Sequence, residues 1–511
     1  MSDLPENTPA VSTDRGLLEM FPESFAREHG AVPVRTDDGR IAVAVAAGGA
    51  SADVLEYVKF RCGAPVSLVS VRPETLRSLI ESGYGGGEEA EGVFSPDSIR
   101  RMANEASAET GSPEDGAPPK HDYVSLSSPV VRLSNSIIEE AFSKRASDIH
   151  IEPYENELRV RYRIDGVLYV FHRFPPRIAP ALTSRLKVMC ELDIAEKRRA
   201  QQGRMNFRAS GGRSFECRIS VVPVIFGEKV AVRILDKGPL HFSLGKLGFT
   251  DAQLADFEKS VRAENGMVLI AGPTGSGKTT TLYSVIEEIK SEETNIITAE
   301  DPIEYNLPGI SQVQVREAVG LTFPECLRSF LRQDPDVILV GEIRDRETAD
   351  IAVKASLTGH LMLSTIHTTD ALSAVVRLLD MGVEPFLVAS SLRAVAAQRL
   401  VRVICERCSR PLSPSAPVSP EFAGIRDGLR EGAGCPACSN LGYRGREAVY
   451  EVAVVDAELR EMIVSGAPLS DMRKWASRAG MSTMRENAVL KLKRGVTTAE
   501  EVLKNTPADE K

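Results

Sequence analysis

Residues 267–290 read Met267-Val-Leu-Ile-Ala271, then Gly272-Pro273-Thr274-Gly275-Ser276-Gly277-Lys278-Thr279-Thr280, then Thr-Leu-Tyr-Ser-Val-Ile-Glu-Glu-Ile-Lys290. An apolar run, a glycine-rich turn and a helical pattern follow one another. Phosphate oxygens need backbone N–H donors at close range, and glycines let the backbone come that close. Lys278 has the length to reach the β and γ phosphates, and the Thr279 hydroxyl suits Mg²⁺. Strand, turn and helix are the context in which this spacing has meaning. They set the fold class as α/β, with a phosphate-binding loop at the carboxyl end of a strand.

Two further segments fit the same sheet. Asp336-Val-Ile-Leu-Val-Gly-Glu342 is an apolar strand that delivers a carboxylate at its carboxyl end, where open α/β sheets place their ligands. Glu342 is a candidate for the metal shell or for polarising an attacking water; a solvated strand-end glutamate is the alternative. Thr298-Ala-Glu300-Asp301-Pro302-Ile303-Glu304 follows the β-rich run Asn-Ile-Ile-Thr and brings three carboxylates within five residues. In-line phosphoryl transfer needs charge neutralisation and a positioned nucleophile more than covalent chemistry. A third apolar strand, Leu361 to Thr365, has His360 before it and His367 just after it. A lone histidine is most often structural; beside these elements the pair could sense the γ-phosphate or relay its loss. Together the segments predict a mainly parallel sheet flanked by helices.

The whole chain has 511 residues, 42% hydrophobic, 26% charged and 5% aromatic, an ordinary globular balance. Acidic residues (71) outnumber lysine plus arginine (62), which argues against a globally basic footprint for nucleic acid or anionic lipid. The amino terminus carries no signal-peptide pattern and no apolar stretch reaches the roughly 18–20 residues of a membrane span, so a soluble, cytoplasmic protein is expected. Residues 1–16 read as a flexible tail and 17–84 as a small α/β unit. That unit should hold short strands at 32–34 and 41–45 and helices near Phe21 to His29, from Asp53 and after Pro73. Residues 85–125, rich in glycine, proline and acid, read as a linker with a short helix around Ile99 to Ser107. Ser128-Pro129 opens a helix through Lys144. In the strand that follows, Leu158, Val160, Tyr162 and Ile164 share one face and Arg159, Arg161 and Arg163 the other. This second domain is placed at 126–240, the phosphate-loop core at 241–400, and a helical carboxyl-terminal region from 448 to 511.

Eight cysteines are present, of which Cys62, Cys190, Cys217 and Cys326 stand alone. Cys405-x2-Cys408 and Cys435-x2-Cys438, separated by 26 residues, fit a tetrahedral zinc held by four thiolates. Four ligands fill the coordination sphere, so the module at 401–447 should be structural.

The segments GPTGSGKTTTLY, AEDPIEY, LRQDPDVILVGEIRDRETADIA, TGHLMLSTIHTTDA and AQRLVR, in this order, closely resemble the ATPases that drive type II secretion and type IV pilus assembly. ASDIHIEP, LRVRYRIDGVL and LDIAEKRRAQQGR resemble the second amino-terminal domain of that family, so the likeness spans roughly residues 125–505. It implies a RecA-like P-loop ATPase core preceded by an α+β, PAS-like domain and a small α/β docking domain. It further implies ATP, Mg²⁺ and Zn²⁺ as ligands and a homohexamer with each ATP lying between two domains. By the same resemblance Glu304 is the catalytic base of an aspartate box, Glu342 belongs to an atypical Walker B strand and His367 to a histidine box. Arg161 and Arg177 best match the family's arginine fingers. One departure is Gln201-Gln202-Gly203-Arg204, where the family commonly has an acid before the glycine. Pro22 to Gly30 resembles the docking domain of the secretion branch, and no Arg-x-Gly-x-x-Leu pattern of cyclic-di-GMP-binding domains is seen. The resemblance therefore implies secretion over pilus assembly. Its implied partners are the cytoplasmic part of a bitopic inner-membrane protein, a polytopic inner-membrane platform protein and, indirectly, pseudopilins, with no nucleic acid.

Overall fold

The structure, a computed structural model, describes residues 11–12, 26, 30–36, 41–46, 66–72, 75–76, 79–80, 96–109, 128–210, 212–235, 243–413, 416 and 418–508. At the amino terminus β1 (Val11–Ser12), β2 (Ala31–Thr36), β3 (Ile41–Ala46) and β4 (Ser67–Val71) form one sheet in that order. β2 and β3 are antiparallel and β3 and β4 parallel, which places both expected strands. The helices expected in this unit fall outside the described residues, apart from isolated positions.

The helix expected within residues 85–125 spans Pro96–Glu109 (α1), and Ile99, Ala103 and Ala106 bury themselves in the core of the following unit. That unit packs α1, α2 (Pro129–Ser143) and α3 (Ala179–Met189) against a six-stranded antiparallel sheet. Its strands are β5 (Ala146–Pro153), β6 (Leu158–Ile164), β7 (Val167–Phe174), β8 (Gln201–Arg208), β9 (Ser214–Val224) and β10 (Gly227–Leu235), in the order β7-β6-β5-β10-β9-β8. Along β6, Leu158, Val160, Tyr162 and Ile164 are buried while the three arginines stay half-exposed, as the alternation predicts. Burying each Leu, Val or Ile is worth roughly 1.5–3 kcal/mol. The Tyr162 hydroxyl is accommodated inside because it donates to Glu140 Oε2 at 2.7 Å.

Period-two alternation before the phosphate loop also sets the layers of the third unit. In β11 (Gly266–Ala271), Met267, Leu269 and Ala271 enter one core and Val268 and Ile270 the other. Helices α4 (Asp251–Val261) and α5 (Lys278–Ile289) cover the second face. The first face carries α6 (Phe323–Phe330), α7 (Arg346–Leu357), α8 (Ala371–Asp380) and α9 (Pro385–Ser391). The other strands are β12 (Ile296–Glu300), β13 (Ser311–Gln314), β14 (Val337–Val340), β15 (Leu361–Ile366), β16 (Leu392–Ile404) and β19 (Tyr443–Val454), with β17 (Ser409–Pro411) and β18 (Arg430–Gly432) as a separate hairpin. The seven-stranded order is β13-β12-β14-β15-β11-β16-β19, parallel throughout except for β19.

The helical carboxyl-terminal region is present as expected, but it begins at Ala457 rather than at Ala448. Ala448–Val454 continue β19, and helix resumes with α10 (Ala457–Val464), α11 (Leu469–Arg478), α12 (Met484–Lys493) and α13 (Ala499–Asn505). The run Ala-Val-Tyr-Glu-Val-Ala-Val is rich in β-branched and aromatic residues and buried on both faces, between β16 and the helices of both layers, so a 3.6-residue period has no role in it. Arg402 of β16 lies between units: its Nη1 donates to Tyr169 Oη at 2.6 Å, its Nη2 meets Glu501 at 2.7 Å, and its guanidinium stacks 3.9 Å from the Tyr443 ring centroid. Asp165 accepts from the Gly445 backbone N–H at 2.8 Å, a second bridge to the β6–β7 hairpin.

Candidate active site and cysteine cluster

The phosphate loop is stitched to strands on either side of β11. Gly272 N–H donates to Ile366 at the end of β15 (3.1 Å), and Thr281, in the first turn of α5, donates to Gln398 Oε1 of β16 and meets Tyr450 Oη, both at 2.8 Å. Glycine is required at two points. Gly272 has φ +153°, and a Cβ there would sit 2.6 Å from Ser276 Oγ and 2.7 Å from the Gln398 carbonyl; Gly277, at φ +89°, caps α5 and would meet Gln398 Nε2 at 2.8 Å. Thr279 and Thr280 are exposed, leaving both hydroxyls open.

Lys278 Nζ donates to the Gly272 and Pro273 carbonyls at 2.8 and 3.0 Å. Burial, reinforced by the Arg399 charge and opposed by Glu342, lowers its pKa to about 8. Glu342 lies two residues beyond β14, between Arg344 Nη2 at 2.6 Å and His367 Nε2 at 3.2 Å. Lys278, Glu342 and His367 therefore share the carboxyl edge of the sheet. His360 is at the opposite end of β15, where Nδ1 contacts the Ala355 carbonyl at 3.0 Å beside the last turn of α7.

Of the three carboxylates at the end of β12 and just beyond it, Glu300 is buried and committed: it accepts from the Tyr283 hydroxyl, from Thr298 Oγ1 at 2.6 Å and from Gln312 Nε2 at 3.0 Å. Asp301 is exposed and Glu304 half-buried. The Glu304 carboxylate makes no ion pair among the described residues, and its loop is held by Ile303 N–H donating to Gln314 at 3.0 Å.

In the second domain Arg161 grips Glu152 with two bonds of 2.8 Å, and Lys229 reaches the same carboxylate at 2.9 Å. Burial works to raise the Glu152 pKa, but these two cations hold it below the ordinary value. Arg177 stands exposed in the turn Pro176–Ile178 without an ion pair among the described residues. Among the described residues neither arginine hydrogen-bonds or pairs with residues 272–280. Gln398 and Arg399 stand in the AQRLVR segment but received no role from the sequence; the available signal was the apolar run Leu392 to Ala397 ending in two polar residues, which is how a parallel strand delivers functional groups.

The four cysteines converge. Their sulfurs all lie within 4.8 Å of one another, with Cys405–Cys435 and Cys408–Cys438 at 3.8 Å and Cys435–Cys438 at 3.7 Å. A tetrahedron with metal–sulfur bonds of about 2.3 Å has edges of about 3.8 Å, so the spacing fits one tetrahedral metal ion. Burial tends to raise the Cys438 pKa, but hydrogen bonding, led by the Cys435 and Gly442 backbone, brings it down to about 7.

A nucleotide-shaped loop at the carboxyl edge of a parallel sheet, with a lysine and a glutamate converging on it, defines a P-loop ATP hydrolase. Residues 125–504 match the Type II/IV secretion system protein family and residues 3–90 the MshEN domain. The chain belongs to the Type II/IV secretion system protein family. It is 43% identical over 513 residues to the type IV pilus assembly ATPase PilB of Myxococcus xanthus, covering 98% of this chain and 89% of that one. To type II secretion system protein E of Dickeya dadantii it is 41% identical over 511 residues, covering 99% of each. The ATPase DotB of Legionella pneumophila shares the fold, with a TM-score of 0.54 at 22% identity over 72% of this chain and 94% of that chain.

Proposed function

We propose that this chain is the ATPase motor of type II secretion, converting ATP hydrolysis into domain motion that drives pseudopilus assembly. The observation that carries the reading is its end-to-end correspondence with protein E of Dickeya dadantii, 99% of both chains. The similar correspondence with PilB favours a second reading, extension of a type IV pilus.

In this reading the backbone N–H groups of the Gly272–Thr280 turn and Lys278 bind the phosphates, and Thr279 holds the metal. Bound Mg²⁺ supplies neutralisation of the β and γ oxygens. Glu304, whose carboxylate makes no ion pair among the described residues, orients the attacking water. Glu342, already held by Arg344 and His367, fixes the edge at which the γ-phosphate arrives. Arg161 and Arg177 come to the phosphates on domain closure within a homohexamer; Arg161 must exchange Glu152 for phosphate oxygens, whereas Arg177 has no ion pair to release among the described residues. The cysteine cluster holds zinc and supports the module beyond β16. The amino-terminal unit docks on the cytoplasmic part of a bitopic inner-membrane protein, and the motor acts through a polytopic platform protein. Membrane attachment runs through these partners; among the described residues no helix is long and apolar enough to cross a membrane.

The test is replacement of the native chain by Lys278→Ala, scoring secreted proteins and surface pili in parallel. Loss of secretion with pili intact supports the first reading. Loss of pili with secretion intact supports the second, and no change in either refutes both.

A further inference from the structure

β16 lies against β11 on the side away from β15, in the register Ala271↔Ala397. Gln398 and Arg399 therefore emerge beside the first residues of the phosphate loop. Gln398 turns toward α5, where it receives the Thr281 hydroxyl. Alternation along the strand sends Arg399 to the opposite face. There its Nη2 reaches toward the Thr369 carbonyl at 3.5 Å, in the loop that follows β15. A side chain from one neighbour of β11 that meets the loop beyond the other passes across the carboxyl end of β11, at the mouth of the phosphate loop.

The guanidinium is under-compensated there. No carboxylate lies within ion-pair distance of it among the described residues. The acid whose charge it feels is Asp370, which is engaged in capping α8 through Ser373 N at 2.8 Å and Ser373 Oγ at 2.6 Å. Arg399 Nη1 is buried with no hydrogen-bond partner among the described residues. Lys278 is close enough to feel the Arg399 charge. A half-buried arginine with an orphaned N–H beside a half-buried lysine is costly unless an anion completes the pair. The group that satisfies both is a polyanion seated on the phosphate loop.

We propose that Arg399 contacts the terminal phosphate of ATP from within the same chain, acting as a cis arginine in addition to any supplied by the second domain. This assignment rests on the ATPase reading above. In hydrolysis the water oxygen bonds the γ-phosphorus and the bridging P–O bond breaks, its electron pair passing to the β-phosphate oxygen. The proton leaves the water by way of Glu304. Arg399 donates N–H bonds to the γ oxygens, where charge is held through the step, so its contribution is to ATP over ADP as well as to rate.

The test uses the full-length chain and two variants, Arg399→Gln and Arg399→Lys. Binding of AMP-PNP and of ADP is measured by calorimetry with Mg²⁺, and steady-state turnover is measured alongside. Arg399→Gln is expected to lower kcat by about 100-fold or more and to weaken AMP-PNP at least about tenfold more than ADP. Arg399→Lys should recover much of the AMP-PNP preference but little of the rate, because an ammonium lacks the planar fork. Equal weakening of both nucleotides together with a lowered thermal midpoint marks a purely structural arginine and overturns the proposal, as does wild-type turnover and preference in Arg399→Gln. Wild-type protein that binds neither nucleotide, or binds them without need of Lys278, defeats the ATPase reading and Arg399 with it. Binding that needs Lys278 but ignores Arg399 defeats the Arg399 assignment alone.

Discussion

Glu501→Ala removes the carboxylate that neutralises Arg402, and the structure sets the size of the effect. The two side chains are 3% and 10% exposed, so water cannot replace the lost partner. Glu501 Oε2 also accepts the Arg402 backbone N–H at 3.0 Å, which the substitution orphans. Breaking one side of a buried ion pair costs roughly 3–5 kcal/mol. Arg402 keeps the Tyr169 hydroxyl and the Tyr443 ring, the latter contact worth up to about 2 kcal/mol, so a loss of about 3 kcal/mol is expected. That raises the unfolded fraction more than about 100-fold. Trp475 is the sole tryptophan, buried in α11 within the same carboxyl-terminal packing, and its fluorescence reports urea unfolding of this region without labelling. The double variant Arg402→Met/Glu501→Leu should recover most of the loss, because a buried pair replaced by apolar groups is nearly neutral. A Glu501→Ala midpoint shift equivalent to less than about 1 kcal/mol, or a double variant no better than the single one, would refute a coupled buried pair.

Because Lys278 titrates near pH 8 in the free chain, nucleotide affinity should fall as pH rises through that value, with proton uptake on binding at pH 8; Lys278→Ala should flatten the calorimetric profile. The same depressed pKa means that folding stability of the free chain rises with pH between about 8 and the ordinary lysine value, since the unfolded chain binds the extra proton there. Glu304→Gln should lower kcat by about 10²–10⁴-fold with AMP-PNP affinity nearly unchanged, and a parallel loss of binding would assign Glu304 to the binding site instead. Cys408→Ser should bring metal content, measured by inductively coupled plasma mass spectrometry, from about one zinc per chain to a small fraction; a zinc-free wild type refutes the metal assignment.

What the sequence disclosed was local. The glycine turn, the apolar strands β11, β14 and β15, the alternation of β6 and the two cysteine pairs each depend on residues a few positions apart, and all stand where the pattern put them. What stayed hidden was pairing between distant segments. Alternation put Arg161 on the outward face of β6 without showing its partner, Glu152 on the neighbouring strand. Three carboxylates at the end of β12 and just beyond it read as equivalents until Tyr283 of α5 and Gln312 of β13 claimed Glu300. β19 hid for the same reason: its residues satisfy helix and strand alike, and β16 decides between them.

β16 also has a mechanical consequence. Gln398 near its middle packs against Gly272 and Gly277 of the phosphate loop and bonds Thr281, Arg402 holds the second domain through Tyr169, and Cys405 of the cysteine cluster follows its last residue. A strand bonded on both sides cannot slide by less than a register step of two residues, about 6.6 Å. Nucleotide loop, cysteine module and the surface that meets the second domain therefore travel as one stiff lever. In the proposed motor, a swing of the second domain that spares the sheet opens the Tyr169–Arg402 and Asp165–Gly445 hydrogen bonds, which makes these two bonds its catch.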